Sequence, residues 1–490
     1  MLDLDSPSVQ FVGLVSIVGG LIVWAYTLLT NPLAKLPGPW YSIWTDTVLR
    51  YHILKGQRPT YVHSLHLKYG PIIRIGPTEA SIQDLSSVKQ IYRVKGEFLK
   101  SVFYQKFSPD RHNIFNTLDV NFHRRWRRLL SAPISETGLV AHQPVIEGKI
   151  RLAVQRMVEE MEKRGAADVF HWFMCMTTDI IGELSFGESF HMLETGSKTQ
   201  YIRDLEQIAF ASSIRATIPW IYKLAQWMPF RTPVLTDIAE QAKRTMSYAG
   251  QAIKQHYDLV DKQGEDAKPT LFSKLYKAGE DGLNFAEIRD NAASYIIAGS
   301  DTTTNTLTYL VWSVCKHPHV QRRLVDELSG LSDDDLEDQK LKNLPYLNQV
   351  IQESMRLYPA APSGLPRAVP REGAEMGGYF IPGGHTVSVQ AYSMHRDAAV
   401  YPEPLVFDPS RWEEPTQAMK DSFVPFGGGS RICLGLHLAR IELRLATARF
   451  FRTFPNAKMS NLEGFSDEDM KPAMFFLLTP KTRRCLVEAS

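Results

Sequence analysis

The stretch FVPFGGGSRICLGLHLAR, residues 423–440, constrains this chain most, because it sets a cysteine between a glycine-rich turn and an amphipathic run. Gly427, Gly428 and Gly429 permit positive φ and the close approach of a flat ligand. Leu438, Ile441, Leu445 and Ala448 then recur at helical spacing. Cys433 therefore stands at the start of a helix, where the dipole and free N–H groups favour a thiolate. The other cysteines, Cys175, Cys315 and Cys485, lie far away, and no CxxC pair occurs. That argues against a zinc knuckle or redox dithiol and fits a reducing compartment better than a disulfide framework. His437 reads as a packing or surface residue. Two readings of Cys433 stand: a structural cysteine in a glycine turn, or a lone metal ligand. A single thiolate suits an iron whose other ligands come from a porphyrin.

A second feature is NFAEIRDNAASYIIAGSDTTTNTLTYLVWSVCKHP, Asn284 to Pro318. Asn284 and Glu287 have the spacing of a capping box, and Pro318 marks an end. The helix spans roughly 50 Å at about 1.5 Å per residue. Its middle, Ala298 to Thr304, sets Gly299, Asp301, Thr302 and Thr303 in an apolar context. Such residues are mediocre helix formers, and threonine bonds back to the preceding turn. One reading is a kinked helix with its polar side in water. The other is a groove, bared by Ala298 and Gly299, with a carboxylate and a hydroxyl beside it to relay protons.

Glu353 and Arg356, three apart in NQVIQESMRLYP, share a helix face. They form either a solvated surface pair or, among Val350, Ile351, Met355 and Leu357, a buried pair that needs further partners. Arg411 in FDPSRW is a candidate third charge.

The N-terminal stretch Phe11–Leu29 carries no charge and is long enough to cross a bilayer core. A cleaved signal peptide would need a basic leader and a shorter apolar core, whereas Asp3 and Asp5 precede this one. A buried core helix is the remaining alternative. Lys35 and Arg50 follow the stretch and favour a cytosolic body. KLPGPW, residues 35–40, cannot continue a helix and reads as a stiff exit. The body alternates between helices and short strands, with Gly70–Gly76 and Val387–His395 as strand candidates and a polar loop near Asp261–Lys268. Ile218–Phe230 reads as core or as a segment dipping into a membrane interface. Lys and Arg total 55 against 53 Asp and Glu, a net charge of +2, which gives no footprint for nucleic acid.

Together these motifs resemble the cytochrome P450 family. Phe426-x-x-Gly429-x-Arg431-x-Cys433-x-Gly435 is similar to its haem-binding signature, and Ala298-Gly299-x-Asp301-Thr302-Thr303 to its oxygen-activation motif. Glu353-x-x-Arg356 with Arg411 resembles its structural Glu-Arg-Arg cluster. The order along the chain also matches. The resemblance implies a mainly α fold with small β-sheets, preceded by a single N-terminal transmembrane helix. It divides the chain into an anchor (1–34, span 11–29), a hinge (35–40) and a catalytic domain (41–490).

The resemblance further implies haem b as cofactor, with Cys433 on the iron and Phe426 near the sulfur. Arg431, His123, Arg127 and Arg367 would meet the haem propionates. Many members have tryptophan where His123 stands, and Trp126 is displaced from that position. Asp301 and Thr302 would steer protons while one oxygen atom from O2 enters a hydrophobic small molecule. Ile297, Ala298, Thr302, residues 361–366, Phe475 and Phe476 would line the substrate site. Electrons would come from NADPH through NADPH-cytochrome P450 reductase, docking near Arg124, Arg125 and Arg128 in the endoplasmic reticulum membrane. General likeness points to fungal secondary metabolism. The rival implications are a haem-thiolate isomerase or dehydratase that does not use O2, and a non-catalytic membrane haem protein.

Overall fold

The uncharged N-terminal stretch forms helix α1 (Pro7–Thr30). The computed structural model describes residues 7–107, 112–197 and 285–489, with scattered positions between 200 and 272. Among the described residues, no helix is long and apolar enough to cross a membrane. The stretch expected to span a bilayer is therefore a helix but does not qualify as a span among the described residues, its side chains being described only in part. Of these, Phe11, Leu14, Ile17, Leu21 and Ile22 are exposed. Trp24 of α1 stacks on Trp44 of the body, ring centroids 5.3 Å apart.

The proline-rich exit is fastened down. Arg74, nearly fully buried, donates to the carbonyls of Leu33 (2.9 Å), Leu36 (2.7 Å) and Pro39 (3.0 Å). A buried guanidinium needs several acceptors, and this proline-broken segment of short 3-10 turns points several carbonyls at it, Leu33 O and Pro39 O being shared with those turns.

The body contains α2 (Thr47–Leu54), α3 (Arg58–Tyr69), α4 (Leu85–Ile91), α5 (Phe103–Phe107), α6 (Val120–Ser131), α7 (Gln143–Arg164) and α8 (Val169–Phe186). After these come α9 (Phe285–Lys316), α10 (Pro318–Ser329), α11 (Pro345–Leu357) and α12 (Leu436–Thr453). Strands β1 (Ile72–Gly76), β2 (Glu79–Ile82), β3 (Gly364–Ala368) and β4 (Thr386–Gln390) form one sheet in the order β1-β2-β4-β3. β2 pairs with β4 in parallel, and the other two pairings are antiparallel. The result is a mainly helical fold with small sheets.

The main core lies among α7, α8, α9, α11 and α12. α9 crosses it: 32 residues, Phe285–Lys316. Pro318 then opens α10, since proline lacks only an N–H that a first helical turn leaves unpaired. The strand expected over Val387–His395 is shorter than the sequence suggests. It ends at Gln390, and Ala391–Met394 forms a helical turn. The buried Gln390 amide fixes that turn by donating to Pro59 O (2.9 Å) and Ser393 Oγ (2.7 Å). Asn284 with its capping box, most of Ile218–Phe230 and most of the loop near Asp261–Lys268 lie outside the described residues.

Candidate active site

Cys433 lies between a 3-10 turn, Gly429–Arg431, and the start of α12. Its N–H donates to Phe426 O at 3.0 Å, which closes the loop on itself. It is the one cysteine of the four that is not buried. Its open surface nevertheless faces into the protein, where Arg127 and Tyr295 lie near enough to act on its charge. Burial consequently pushes its thiol up, against the opposing pull of the Gly435 N–H and Arg127. The helix start alone does not set a thiolate here, whereas metal coordination deprotonates a thiol outright.

The glycines of this loop do something other than expected. Gly427 and Gly429 do adopt positive φ, +68° and +66°. A Cβ on Gly429 would fall 2.4 Å from Tyr92 O, and one on Gly428 would fall 2.7 Å from the Tyr92 ring. These glycines admit Tyr92, at the end of α4, rather than a flat ligand. At Gly435 a Cβ would meet no protein atom within 4 Å.

Beside the loop, cations converge. Asp119 caps α6 by accepting from the N–H groups of Asn121 and Phe122. The helix then carries His123 and Arg127 on one face. Arg127 Nη1 donates to Ile432 O at 2.8 Å, joining α6 to the cysteine loop. Arg367 of β3 is buried and donates to Tyr104 OH at 3.1 Å. Arg431 has a buried Nη1 with no partner, and burial followed by Arg367 and Arg127 lowers it to about 10. His123 is pushed down to about 3 by burial, then by Arg431, Lys100, Arg127 and Arg367. Trp126 is fully buried in the core.

Lys100 belongs to this cluster although nothing in its local sequence marks it. An isolated β-bridge sets it opposite Arg367. Its ammonium donates to the carbonyls of Ile114 and Phe115. Burial and the three arginines hold its pKa well below the ordinary lysine value. Among the described residues, no salt bridge pairs any of these five groups with a carboxylate. Lys100 and Arg367 are buried, Arg127 and Arg431 are half-buried, and the His123 ring is neutral; these four cationic side chains, with one donor atom orphaned, fit a dianionic partner. Haem, through its two propionates, would be such a partner, with Cys433 placed to offer its iron a soft ligand.

On α9, Ala298 is exposed midway along a helix whose flanking turns are buried. Thr302 Oγ1 donates back to Ala298 O at 2.8 Å. Gly299 does not bare the groove, as its sequence context suggested. A Cβ there would strike Ile181 of α8 at 2.8 Å, so Gly299 serves close helix packing. Behind Thr302, Thr303 hydrogen-bonds Glu442 of α12. That carboxyl is fully buried and is pushed up to about 8 by desolvation.

Glu353 and Arg356 form a buried pair, both at 0 % exposure. Arg356 Nε and Nη2 each reach a Glu353 oxygen at 2.8 Å. Its other donors meet His395 O (2.8 Å), Pro404 O (2.6 Å) and Val406 O (3.0 Å). Glu353 also accepts from Arg411 Nε (3.0 Å), Trp412 Nε1 (3.0 Å) and Asp408 N (2.9 Å). Every lone pair and donor is engaged, which is the condition for a buried ion pair to be tolerated. The sequence did not mark Trp412 or His395 as members.

The expected substrate liners divide. Ser363, Gly364, Pro366, Phe475 and Phe476 border one cavity of about 230 Å³, and Ile297, Ala298 and Thr302 do not border it. Arg124 and Arg128 are exposed on α6.

Residues 35–486 match the cytochrome P450 family. The chain is 47% identical over 469 residues to the cytochrome P450 monooxygenase tazI of Aspergillus terreus, covering 94% of this chain and 95% of that one. It is 40% identical over 466 residues to the cytochrome P450 monooxygenase orf2 of Aspergillus niger, covering 95% and 94%. The cytochrome P450 monooxygenase aflV of Aspergillus parasiticus is 36% identical over 487 residues, covering 96% and 94%.

Proposed function

This chain belongs to the cytochrome P450 family, and from that membership we propose that Cys433 is the thiolate ligand of its haem iron. The protein is a cytochrome P450 monooxygenase with haem b as cofactor. Haem held by a thiolate supplies the activation of dioxygen that delivers one oxygen atom to a substrate. The residues of this chain bind and orient it. Arg127, Arg367, Arg431, His123 and Lys100 take the propionates, and Phe426 packs beside the sulfur loop. Asp301 and Thr302 steer protons into the cleft at Ala298, with Thr302 exchanging its bond to Ala298 O for one to an incoming group.

The observation that carries this reading is the pairing of one unburied cysteine with a cluster of buried and half-buried cations that have no carboxylate partner among the described residues. The finer reading concerns surroundings. Residues 1–34 anchor the protein in the endoplasmic reticulum membrane, 35–40 form the hinge, and 41–490 form a cytosolic catalytic domain. Its support is an uncharged helix of 24 residues with exposed apolar side chains, followed by Lys35 and Arg50. NADPH-cytochrome P450 reductase docks near the exposed Arg124 and Arg128. The substrate is a hydrophobic small molecule of fungal secondary metabolism, supported by relatives that are Aspergillus monooxygenases.

The test is turnover of the full chain with that reductase in microsomes, under isotopically labelled dioxygen. One labelled oxygen atom in the product, with matching NADPH use, is the expected result. Product formed without dioxygen would contradict the reading.

A further inference from the structure

No motif in the sequence points to Tyr92, yet it reaches the cysteine loop at two glycines. It ends α4, where its N–H donates to Val88 O at 2.9 Å. Its ring occupies the space that a Cβ on Gly428 would need, and its carbonyl occupies the space of one on Gly429. Lys95 N then donates to Ser430 Oγ at 2.8 Å. Residues 92–95 therefore run alongside 428–430. Lys89 of α4 adds an ion pair to Asp421, ahead of the loop, at 2.6 Å.

These glycines lie inside the loop that Cys433 N–H closes on Phe426 O. Glycine's own torsional preferences hold such a turn weakly, so neighbouring atoms set its shape. Leu365 of β3 supplies one neighbour, 3.1 Å from where a Cβ on Gly427 would stand, and Tyr92 supplies the other. The same ring meets the cation cluster. The guanidinium of the buried Arg367 lies 5.7 Å from its centroid, within range of cation–π attraction. One side chain thereby links the cysteine loop to a candidate propionate partner.

We propose that Tyr92 is a positioning residue for the cysteine ligand: it holds the Gly427–Gly429 turn in the conformation that presents Cys433 to the haem iron, and its ring face ties that turn to Arg367. This rests on the reading of Cys433 as the haem ligand. Arg127 fixes the far end of the loop through Ile432 O at 2.8 Å, and Tyr92 fixes its glycines. With the ring gone the turn relaxes, the sulfur recedes, and the electron density it gives the iron falls. The rival reading is that Tyr92 only helps α4 to pack. Ile91, its neighbour in the same helix, separates the two, since it is buried in the core around the four-stranded sheet.

The test compares the full-length holoproteins of wild type, Tyr92→Ala, Tyr92→Phe and Ile91→Ala in the absence of urea. Two quantities are measured: the reduction potential of the haem, and the rate at which the red-shifted band of the reduced, carbon monoxide-bound protein gives way to a globin-like one. Tyr92→Ala makes the potential more positive and quickens the conversion about 10-fold, as the emptied space of a buried ring allows. Tyr92→Phe, which keeps ring and carbonyl, behaves as wild type. Ile91→Ala lowers the urea midpoint and leaves both quantities unchanged. Should Tyr92→Ala not take up haem, Tyr92→Leu gives the same changes at smaller size. Unchanged values in the Tyr92 variant that loads haem, or equal changes in Ile91→Ala, overturn the proposal. A wild type without the red-shifted band overturns the Cys433 assignment and this proposal with it, whereas a normal wild type beside an unaltered Tyr92 variant overturns this proposal alone.

Discussion

His395 ties the buried ion-pair cluster to the segment that leads into the cysteine loop by accepting the Val424 N–H on Nε2 at 3.0 Å. Since Nε2 accepts, Nδ1 carries the proton and donates to Arg356 O at 3.0 Å. The imidazole is fully buried and pushed down to about 3, chiefly by desolvation. A neutral ring of one tautomer thus spans two elements that the chain separates widely.

The first prediction concerns that ring. His395→Ala leaves Val424 N–H and Arg356 O without it and opens a cavity, which costs about 2–4 kcal/mol. Urea unfolding of the holoprotein measures this. Because the folded pKa lies below the unfolded 6.5, the stability tied to this group is present above pH 6.5 and declines as pH falls toward about 3. In His395→Ala that part of the acid slope disappears. An unaltered midpoint and slope would remove His395 from the account.

Arg356→Leu strips Glu353 of a bidentate partner in a site with no water contact. Breaking such a buried pair costs about 3–5 kcal/mol. The expected outcome is a protein that fails to accumulate with haem. Recovery of the variant as a stable holoprotein would return the pair to a minor role.

Glu442 titrates in the opposite sense to His395. Its folded pKa is raised from 4.5 to about 8, so its contribution is full below pH 4.5 and is lost as pH rises through about 8. Glu442→Gln, which mimics the protonated carboxyl, should flatten stability over that window while keeping the fold. A wild-type slope in the variant would show that Glu442 is charged in the native state.

Lys100→Met tests the cation cluster at the member its local sequence does not reveal. Losing one charged hydrogen bond to a carboxylate costs about 1.5–3 kcal/mol, so haem transfer to apomyoglobin should quicken roughly 10- to 100-fold. The same transfer rate as wild type would mean that Lys100 does not touch a propionate.

How much of this could be read from the chain follows from how local each signal is. Phe426, Arg431 and Cys433 fall within a few residues, and one loop carries all three. His123 and Arg127 share one helical turn. Lys100 was invisible because a β-bridge brings it to Arg367 from far along the sequence. His395 and Trp412 reach Glu353 and Arg356 in the same non-local way. Glycine announces close approach but not the approaching group: Gly428 and Gly429 suggest a ligand where the structure sets Tyr92, and Gly299 suggests a groove where it sets Ile181. Glu442 sits in a run of helical residues, and nothing local marks it as buried beside Thr303 of α9.

The central claim is that Cys433 holds the haem iron. The most direct measurement is the absorption spectrum of the reduced, carbon monoxide-bound holoprotein, recorded for wild type and Cys433→His side by side. The account predicts the strongly red-shifted band of thiolate-ligated haem in wild type and a globin-like band in the variant. The red-shifted band persisting in Cys433→His, or a globin-like band in freshly prepared wild type, would contradict it.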